Sequence, residues 1–365
     1  MSRVSSRFMA RMPLRERPAR TARRPLPLAL GLLAASAALV LLGLAVGSAG
    51  WEPLAPDAGP AAAILWEIRL PRTLGAWLAG ALLGLSGAVA QGLFRNPLAD
   101  PYLLGSATGA ALGVALLLAL LGLSPLAASG WAARLGLTGA AFVGAVLAVL
   151  LTLGLARGVQ HTLRLLLAGV IVGMVLGAGA TLVMFRVPEV MRAMQGFMLG
   201  TTGFLGWDAV QLLAATLAVS LLAAAACSRT LDALSLGDAT AASLGVALGP
   251  VRMLLVAIVA LATAAAVAQV GLIAFIGLVA PHLVRAAVQP THRWLLPLAA
   301  PAGGVLLVAA DVLGRWVIAP QELPVGALTA LLGGGYLLWL MHRRPLWARC
   351  RWLPPRPHCR RRACA

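Results

Sequence analysis

The segment GLIAFIGLVAPHLVR, residues 271–285, is apolar apart from its glycines until it reaches Pro281, His282 and Arg285. A straight helix needs about 20 apolar residues to cross the hydrocarbon core of a membrane, and this run is shorter. Irregular backbone at membrane depth is tolerated only where protein surrounds it. The segment therefore predicts a short, broken helix inside a larger bundle. We expect Pro281 to terminate its cytoplasmic end.

The composition of the whole chain explains why such a segment is expected. The 365 residues are 61% hydrophobic and only 11% charged, whereas a soluble domain carries roughly 25% charged residues. The apolar residues are too many for one water-facing core, so lipid is the expected solvent. The net charge of +18 does not indicate a nucleic-acid partner, because arginines concentrate at the two ends of the chain.

The two arginine clusters divide the chain into three parts. Residues 1–25 form a basic N-terminal arm, residues 26–342 a transmembrane domain, and residues 343–365 a basic tail that we expect to be disordered. Basic residues flank membrane spans on the cytoplasmic side. Both termini are therefore predicted to be cytoplasmic, which requires an even number of spans.

Apolar runs between the clusters predict an all-α polytopic membrane protein with about ten transmembrane helices, some short or broken. Loops assigned to the inner side are basic, whereas the outer loops are nearly balanced in charge. Gly80, Gly84 and Gly87 lie at helical spacing, and we expect them to let neighbouring helices approach closely. The predicted spans are residues 26–47, 73–92, 102–122, 137–156, 163–185, 207–227, 251–270, 272–284, 295–317 and 324–341.

Several functions that a membrane chain could carry lack the residues that they need. The sequence contains no lysine, and a P-loop needs its lysine to reach the β- and γ-phosphates, so ATP hydrolysis would require another subunit. A membrane enzyme would need a polar catalytic cluster, and the sequence has no HExxH or similar pattern. A secondary carrier would need carboxylates at membrane depth. The best candidate is Asp311, but Arg315 lies four residues later and predicts a local ion pair near the outer end.

Three long motifs carry a more specific indication. They are IRLPRTLGAWLAGALLGLSGAVAQGLFRNPLADPYLLGSATGAALG at 68–113, LSLGDATAASLGV at 234–246 and GLVAPHLVRAAVQPTHRWLLP at 277–297. In order and spacing they resemble the permease subunits of ATP-binding-cassette (ABC) importers for iron–siderophore complexes, haem and cobalamin. The resemblance covers residues 26–342. It implies transport by alternating access, driven by partner ATPase subunits; an ATP-independent secondary carrier is the alternative.

The resemblance also implies partners and a location. It predicts a homodimer in the cell (inner) membrane, surrounded by lipid, with two cytoplasmic ATPase subunits that bind the ATP. A periplasmic or surface-tethered substrate-binding protein would dock from outside. No cofactor of the chain's own and no nucleic acid are expected. Siderophore, haem and cobalamin stay open as cargo, with iron complexes placed first because they are the commonest cargo of such permeases.

Contact residues are implied position by position. In the family, matching arginines receive glutamates of the binding protein, which implies docking at Arg69, Arg72 and Arg315; guanidinium groups stay charged and pair with carboxylates in a bidentate manner. Family members often carry arginine at the position of Ala242, so leucines and glycines are the expected ATPase interface. The residues implied in ATPase coupling are Leu236, Gly237, Asp238, Ala242, Leu244 and Gly245.

Local chemistry and the resemblance make further predictions. Ser235 and Asp238 are residue types that cap helices, and RNPLADP, residues 95–101, predicts a turn whose direct role is not assigned. Thr162 and Leu163 match a cytoplasmic gate pair of the cobalamin permease, with leucine in place of serine. The residues that match family motifs and are expected to be structural are Asn96, Pro97, Pro281, His282 and Arg285.

Overall fold

A computed structural model describes residues 25–47, 50–51, 60–121, 131–156 and 162–342. The predicted basic arm, apart from Pro25, and the predicted tail at 343–365 lie outside these ranges. The helices of the first half are α1 (Pro25–Ala45), α2 (Pro60–Ile64), α3 (Leu70–Leu93), α4 (Ser106–Leu121), α5 (Trp131–Leu155), α6 (Thr162–Arg186) and α7 (Pro188–Leu199). A π-helical turn, Leu65–Arg69, leads into α3, and a 3-10 helix, Pro101–Leu104, leads into α4.

The second half of the chain is also helical. Its helices are α8 (Trp207–Ala226), α9 (Ser228–Ser235), α10 (Asp238–Ser243), α11 (Leu248–Val270), α12 (Ile276–Val288), α13 (His292–Trp316) and α14 (Val325–His342). The strands in the described ranges are β1 (Val46–Gly47) and β2 (Gly50–Trp51), which pair antiparallel after α1. The chain is therefore an all-α bundle, as the sequence predicts.

Helix length and composition support a membrane location. Among the described residues, seven helices are long and apolar enough to cross a membrane. Three shorter apolar helices, Ser106–Leu121, Ile276–Val288 and Val325–Leu340, fall at other predicted spans. A polytopic membrane protein with some short helices is confirmed. The exact number of spans and the side of each terminus stay predictions.

Helix α3 is the centre of the bundle and packs most extensively against α13. Its glycines make this possible. A Cβ atom added at Gly80 or Gly84 would overlap a backbone carbonyl of α13, that of Gly303 or Ala299 respectively. At Gly87 an added Cβ would overlap the carbonyl oxygen of Gly277 in α12. Because lipid gives helices no hydrophobic reason to associate, such close backbone packing supplies the attraction.

The break before α12 lies where the sequence predicts it, but α12 ends later than predicted. Residues 271–275 are not helical, and Gly271 and Phe275 have φ values of 70° and 69°. Helix α12 then continues through Pro281 to Val288, so the prediction that Pro281 terminates it is wrong. Proline inside a helix leaves the carbonyl four residues earlier without its usual donor. Here that carbonyl belongs to Gly277 and packs against the bare Gly87 backbone, and surrounding protein makes such a proline tolerable.

Candidate functional site

A cluster of charged residues lies at one end of the bundle. We call Arg72, Asp311, Arg315 and Glu322, with Thr202, the Arg72 cluster. Arg72 donates to both carboxylate oxygens of Glu322 at 2.9 Å and to Asp311 Oδ1 at 3.0 Å. Arg315 Nη2 donates to the other Asp311 oxygen at 2.7 Å. The Thr202 hydroxyl also donates to Asp311. The predicted Asp311–Arg315 ion pair is therefore confirmed, within a larger network.

Burial explains why Asp311 needs so many donors. Its carboxylate is fully buried, and the Arg315 side chain beside it is only 2% exposed. Taking two charges out of water is tolerable only when good geometry and further hydrogen bonds satisfy both groups. Arg315 meets this requirement by also donating to the carbonyls of Gly43 and Val46, at 3.0 and 2.7 Å. The cluster thereby joins α1, α3 and α13.

The three predicted docking arginines share this end of the bundle but differ in exposure. Arg69 is half-buried and donates to the Leu44 carbonyl at 3.0 Å. Arg72 is half-buried and Arg315 is buried. In this conformation the Arg315 guanidinium cannot reach a protein that docks from outside. Docking itself stays a prediction for all three residues.

A second charged group lies at the other end of α3. Arg95 Nη2 and Arg252 Nη2 both contact Asp238 Oδ1, at 3.2 and 2.7 Å. We call these three residues the Asp238 cluster. Arg72 and Arg95 lie at opposite ends of α3, about 35 Å apart at 1.5 Å per residue. Arg252 is 3% exposed, whereas Asp238 is 40% exposed.

The Asp238 cluster holds the segment in which ATPase coupling is predicted. Leu236 and Leu244 are 66% and 63% exposed, and Ala242 is exposed between them. Gly237 and Gly245 bound α10 with φ values of 109° and 81°, which glycine adopts at no steric cost. The segment is thus an exposed short helix set between two glycine turns. Its coupling role stays a prediction.

The two predicted helix caps in this segment are wrong. Ser235 ends α9, and its hydroxyl donates to the Asp232 carbonyl. Asp238 begins α10, with Gly237 at the N-cap position and no side-chain cap bond. A capping side chain must accept a backbone N–H of the first turn, and here the Asp238 carboxylate turns to the two arginines instead. These arginines belong to the turn after α3 and to α11, so no local pattern around Asp238 indicates them.

An aspartate–histidine pair connects α9, which precedes this segment, to the start of α13. Asp232 Oδ1 accepts the His292 backbone N–H at 3.0 Å and lies 2.6 Å from His292 Nδ1. The sequence gives no sign of this pair, because Asp232 is 60 positions away from His292. The pair fixes the start of α13 against α9, which agrees with a structural role for this histidine.

Several family-motif residues make contacts within the chain, and their structural role stays a prediction. Asn96 Oδ1 accepts the Leu98 N–H at 3.0 Å, which closes the turn that RNPLADP predicts, and Pro97 lies within this turn. His282 is buried, with its ring edge-on to Tyr336 at a centroid distance of 5.9 Å. Arg285 lies in the last turn of α12 and donates to the Gln91 side chain of α3.

The predicted gate pair lies at the start of α6. Thr162 is the first residue of this helix, and the structure describes its backbone but not its side chain. Leu163 is exposed in the single subunit. The gate stays a prediction.

Two neighbouring cavities lie at and next to the Arg72 cluster. The first, about 190 Å³, is lined by Arg72 and Glu322 together with residues of α7 and the start of α14. The second, about 330 Å³, is lined by Tyr102 and mainly by apolar residues of α7, α14 and the 271–275 break. Leu199 lines both cavities, so they are neighbours. The two neighbouring cavities therefore present the charged groups of Arg72 and Glu322 beside a mainly apolar lining.

In the part of the chain that the structure describes, seven helices long and apolar enough to cross a membrane, packed through close glycine contacts, indicate a polytopic membrane protein. The chain belongs to the FecCD transport family, whose model matches residues 30–343. This membership confirms the resemblance carried by the three sequence motifs.

Individual relatives agree with this assignment. The hemin transport system permease protein HmuU of Yersinia pestis is 40% identical over 284 residues, 77% of this chain and 84% of that protein. The vitamin B12 import system permease protein BtuC of Salmonella paratyphi A is 43% identical over 278 residues, 76% of this chain and 83% of that protein.

Solved structures give the same architecture. A metal-chelate type ABC transporter in an inward-facing conformation matches with a TM-score of 0.78 and 27% identity, covering 88% of this chain and 100% of that chain. PsaBC from Streptococcus pneumoniae in complex with Fab matches with a TM-score of 0.51 and 17% identity, over 75% of this chain and 94% of that chain. The second likeness concerns the fold alone.

Proposed function

We propose that the chain is the membrane-spanning permease subunit of an ABC importer that moves an iron complex (ferric siderophore or haem) or cobalamin across the cell (inner) membrane. Partner ATPase subunits on the cytoplasmic side supply the energy, and this chain supplies the path. Membership of the FecCD family supports the class of transporter. The haem and B12 permeases among its relatives support the class of cargo.

The observation that carries ATP coupling is the exposed segment between Leu236 and Leu244. Both leucines are more than 60% exposed. They neighbour the ion pairs of Asp238 at the end of α3. In the proposal they therefore lie at the water-facing surface of the membrane and not in its hydrocarbon core. Exposed apolar side chains in a polar setting indicate a protein contact. In the proposal this contact is the partner ATPase, and both termini lie on the same, cytoplasmic side.

The opposite end of the bundle would receive the substrate-binding protein. Arg69 and Arg72 are the docking residues that exposure favours, because both are half-buried at the surface. Arg315 would contribute indirectly, since it shares Asp311 with Arg72. Carboxylates of the docking protein would then compete with Glu322 for the Arg72 guanidinium.

The path would run along the two cavities and be completed by a second copy of the chain. The larger cavity is lined mainly by apolar side chains, which suits a passage that binds cargo weakly. Helix α6 leaves Leu163, Leu167 and Ile171 exposed along one face. A homodimer that covers this face would bring the predicted gate, Thr162 and Leu163, next to its counterpart.

The test is co-purification of the permease with its ATPase partner from detergent. Leu236→Ser combined with Leu244→Ser should weaken the complex by about tenfold or more, because burying a leucine side chain contributes about 1.5–3 kcal/mol and 1.4 kcal/mol is about a factor of ten in affinity. The control is Phe204→Ser, which also removes an exposed apolar side chain but lies between α7 and α8, near the Arg72 cluster. The control should leave the complex intact.

Transport gives the second part of the test. Proteoliposomes holding the permease and ATPase, with binding protein added, are offered haemin, cyanocobalamin and a ferric siderophore. ATP-dependent uptake of one of these supports the proposal. Uptake by the permease alone, without ATPase or ATP, would replace it with the secondary carrier.

A further inference from the structure

The RNPLADP turn, residues 95–101, is the sequence motif to which no role has been assigned, and the structure links it directly to α10. Arg95 and Arg252 meet at one oxygen of Asp238. Arg95 belongs to the turn after α3, Arg252 to the first turns of α11, and Asp238 to the first turn of α10. One carboxylate therefore ties three segments together.

The backbone around α10 makes this tie important. Helix α10 has six residues, and Gly237 and Gly245 flank it in backbone conformations with positive φ. Glycine moves easily between such conformations. A push on α10 would be absorbed in these two turns if nothing else held the helix. Ala241 anchors α10 in the apolar core, and the Asp238 side chain adds a charged connection that bypasses the two turns.

From Arg95 the chain leads to the helices around the cavities. The 3-10 helix that ends RNPLADP places Pro101 against Gly277 of α12 and the Leu103 carbonyl against Gly169 of α6, both without room for a Cβ atom. The Tyr102 hydroxyl donates to the Ile273 carbonyl at 3.1 Å. Residues 95–104 therefore contact the non-helical break, α12 and α6 at once.

From Arg252 a second route reaches the same place. Helix α11 carries Arg252 near its start and ends at Val270, directly before the break at 271–275. Packed interiors transmit displacement because they deform little. Both routes from Asp238 thus converge on the broken segment beside the larger cavity, which Leu272 and Ala274 line.

We propose that Asp238 is a positioning residue that transmits movement of α10, through Arg95 and Arg252, to residues 95–104 and to the break at 271–275. This inference rests on the proposed function, because a partner ATPase must move α10. It differs from an ATPase contact: the carboxylate pairs with two arginines of its own chain, whereas Leu236 and Leu244 are exposed apolar side chains.

The experiment measures the substrate taken up per ATP hydrolysed by the complete transporter in proteoliposomes, with haemin and cyanocobalamin as probes. Asp238→Asn keeps the size of the side chain and removes its charge. We expect uptake per ATP to fall about fivefold or more, in the range of a typical coupling between sites. Asp238→Glu should restore it. The control Asp208→Asn removes an exposed carboxylate at the start of α8 and should stay within about twofold of the unmodified protein.

A second variant tests the Arg95–Asp238 ion pair by changing Arg95. Arg95→Gln should lower uptake per ATP in the same direction. The double variant Arg95→Gln/Asp238→Asn should be no worse than Asp238→Asn alone, because both changes break one connection. Arg95 is 38% exposed, so this variant keeps the test decisive even where Asp238→Asn folds poorly.

Failure of the inference is distinguishable from failure of the proposed function. If the unmodified protein takes up neither probe with ATP, the proposed function fails and the inference falls with it. If the unmodified protein is ATP-dependent and both variants keep its uptake per ATP, the inference alone is wrong. Loss of ATPase co-purification in Asp238→Asn would also overturn it, because Asp238 would then support the contact and not the transmission.

Discussion

The two charged clusters at opposite ends of α3 are built from the same residue types but differ in how deeply their central carboxylate is buried. In the Arg72 cluster the central carboxylate, Asp311, is fully buried and two arginines and a hydroxyl surround it. In the Asp238 cluster the central carboxylate is 40% exposed and both arginines share one of its oxygens. A buried network resists rearrangement because any partner left behind is unpaired. A half-exposed one can respond to a bound protein at lower cost.

The largest effect is expected from Asp311→Asn. The change leaves Arg315 buried without its carboxylate, and breaking a buried pair in this way costs about 3–5 kcal/mol. The matched change Asp238→Asn should cost less, about 1–3 kcal/mol, because the Asp238 carboxylate is half-exposed although its partner Arg252 is buried. Thermal unfolding of both variants in detergent would measure the difference. Equal shifts in the unfolding temperature would contradict the contrast between the clusters.

A smaller effect is expected from Glu322→Gln. Glu322 is 32% exposed where it pairs with Arg72, and pairs that water reaches contribute about 0.2–1 kcal/mol. The loss should shrink at about 1 M salt, where the Debye length is about 3 Å. The measurement is the unfolding temperature of the variant and the unmodified protein at low and high salt. A loss that salt does not change would mean that this edge of the Arg72 cluster is as inaccessible as Asp311.

The smallest effect is expected from Asp100→Asn in the turn that connects to the Asp238 cluster. Burial raises the pKa of the Asp100 carboxyl, although the Tyr102 N–H donated to it acts in the opposite direction. A raised pKa means that the folded protein prefers the protonated form, so this group costs stability as the pH rises from about 4 through the raised value. Asparagine keeps an oxygen acceptor and removes that dependence.

The measurement for Asp100→Asn is the difference in unfolding temperature between variant and unmodified protein at several pH values. The variant should gain relative stability as the pH rises above about 4. A difference that does not depend on pH would mean that Asp100 keeps an ordinary pKa in the folded protein. Using the difference cancels the titration of the two clusters, which both proteins share.

Much of the site could be located from the sequence, but the partners of its charges could not. The motifs point to Asp238 and the neighbouring leucines, and the structure exposes those leucines. Nothing in the sequence marks Arg95 or Arg252 as partners of Asp238, or Gln91 as the acceptor for Arg285. Such pairs join residues far apart in the chain, and single-sequence patterns carry no signal for contacts of that kind.

The sequence by itself determined the solvent, the helical class, the positions of most helices and the family. These properties depend on the length and composition of local runs, because each membrane helix satisfies its own backbone hydrogen bonds. Only the tertiary structure decided that α12 continues through Pro281, that Arg72 joins the buried Asp311–Arg315 pair, and that Asp238 pairs with two arginines. Each of these depends on which neighbour occupies the adjacent space, and packing between distant segments determines that neighbour.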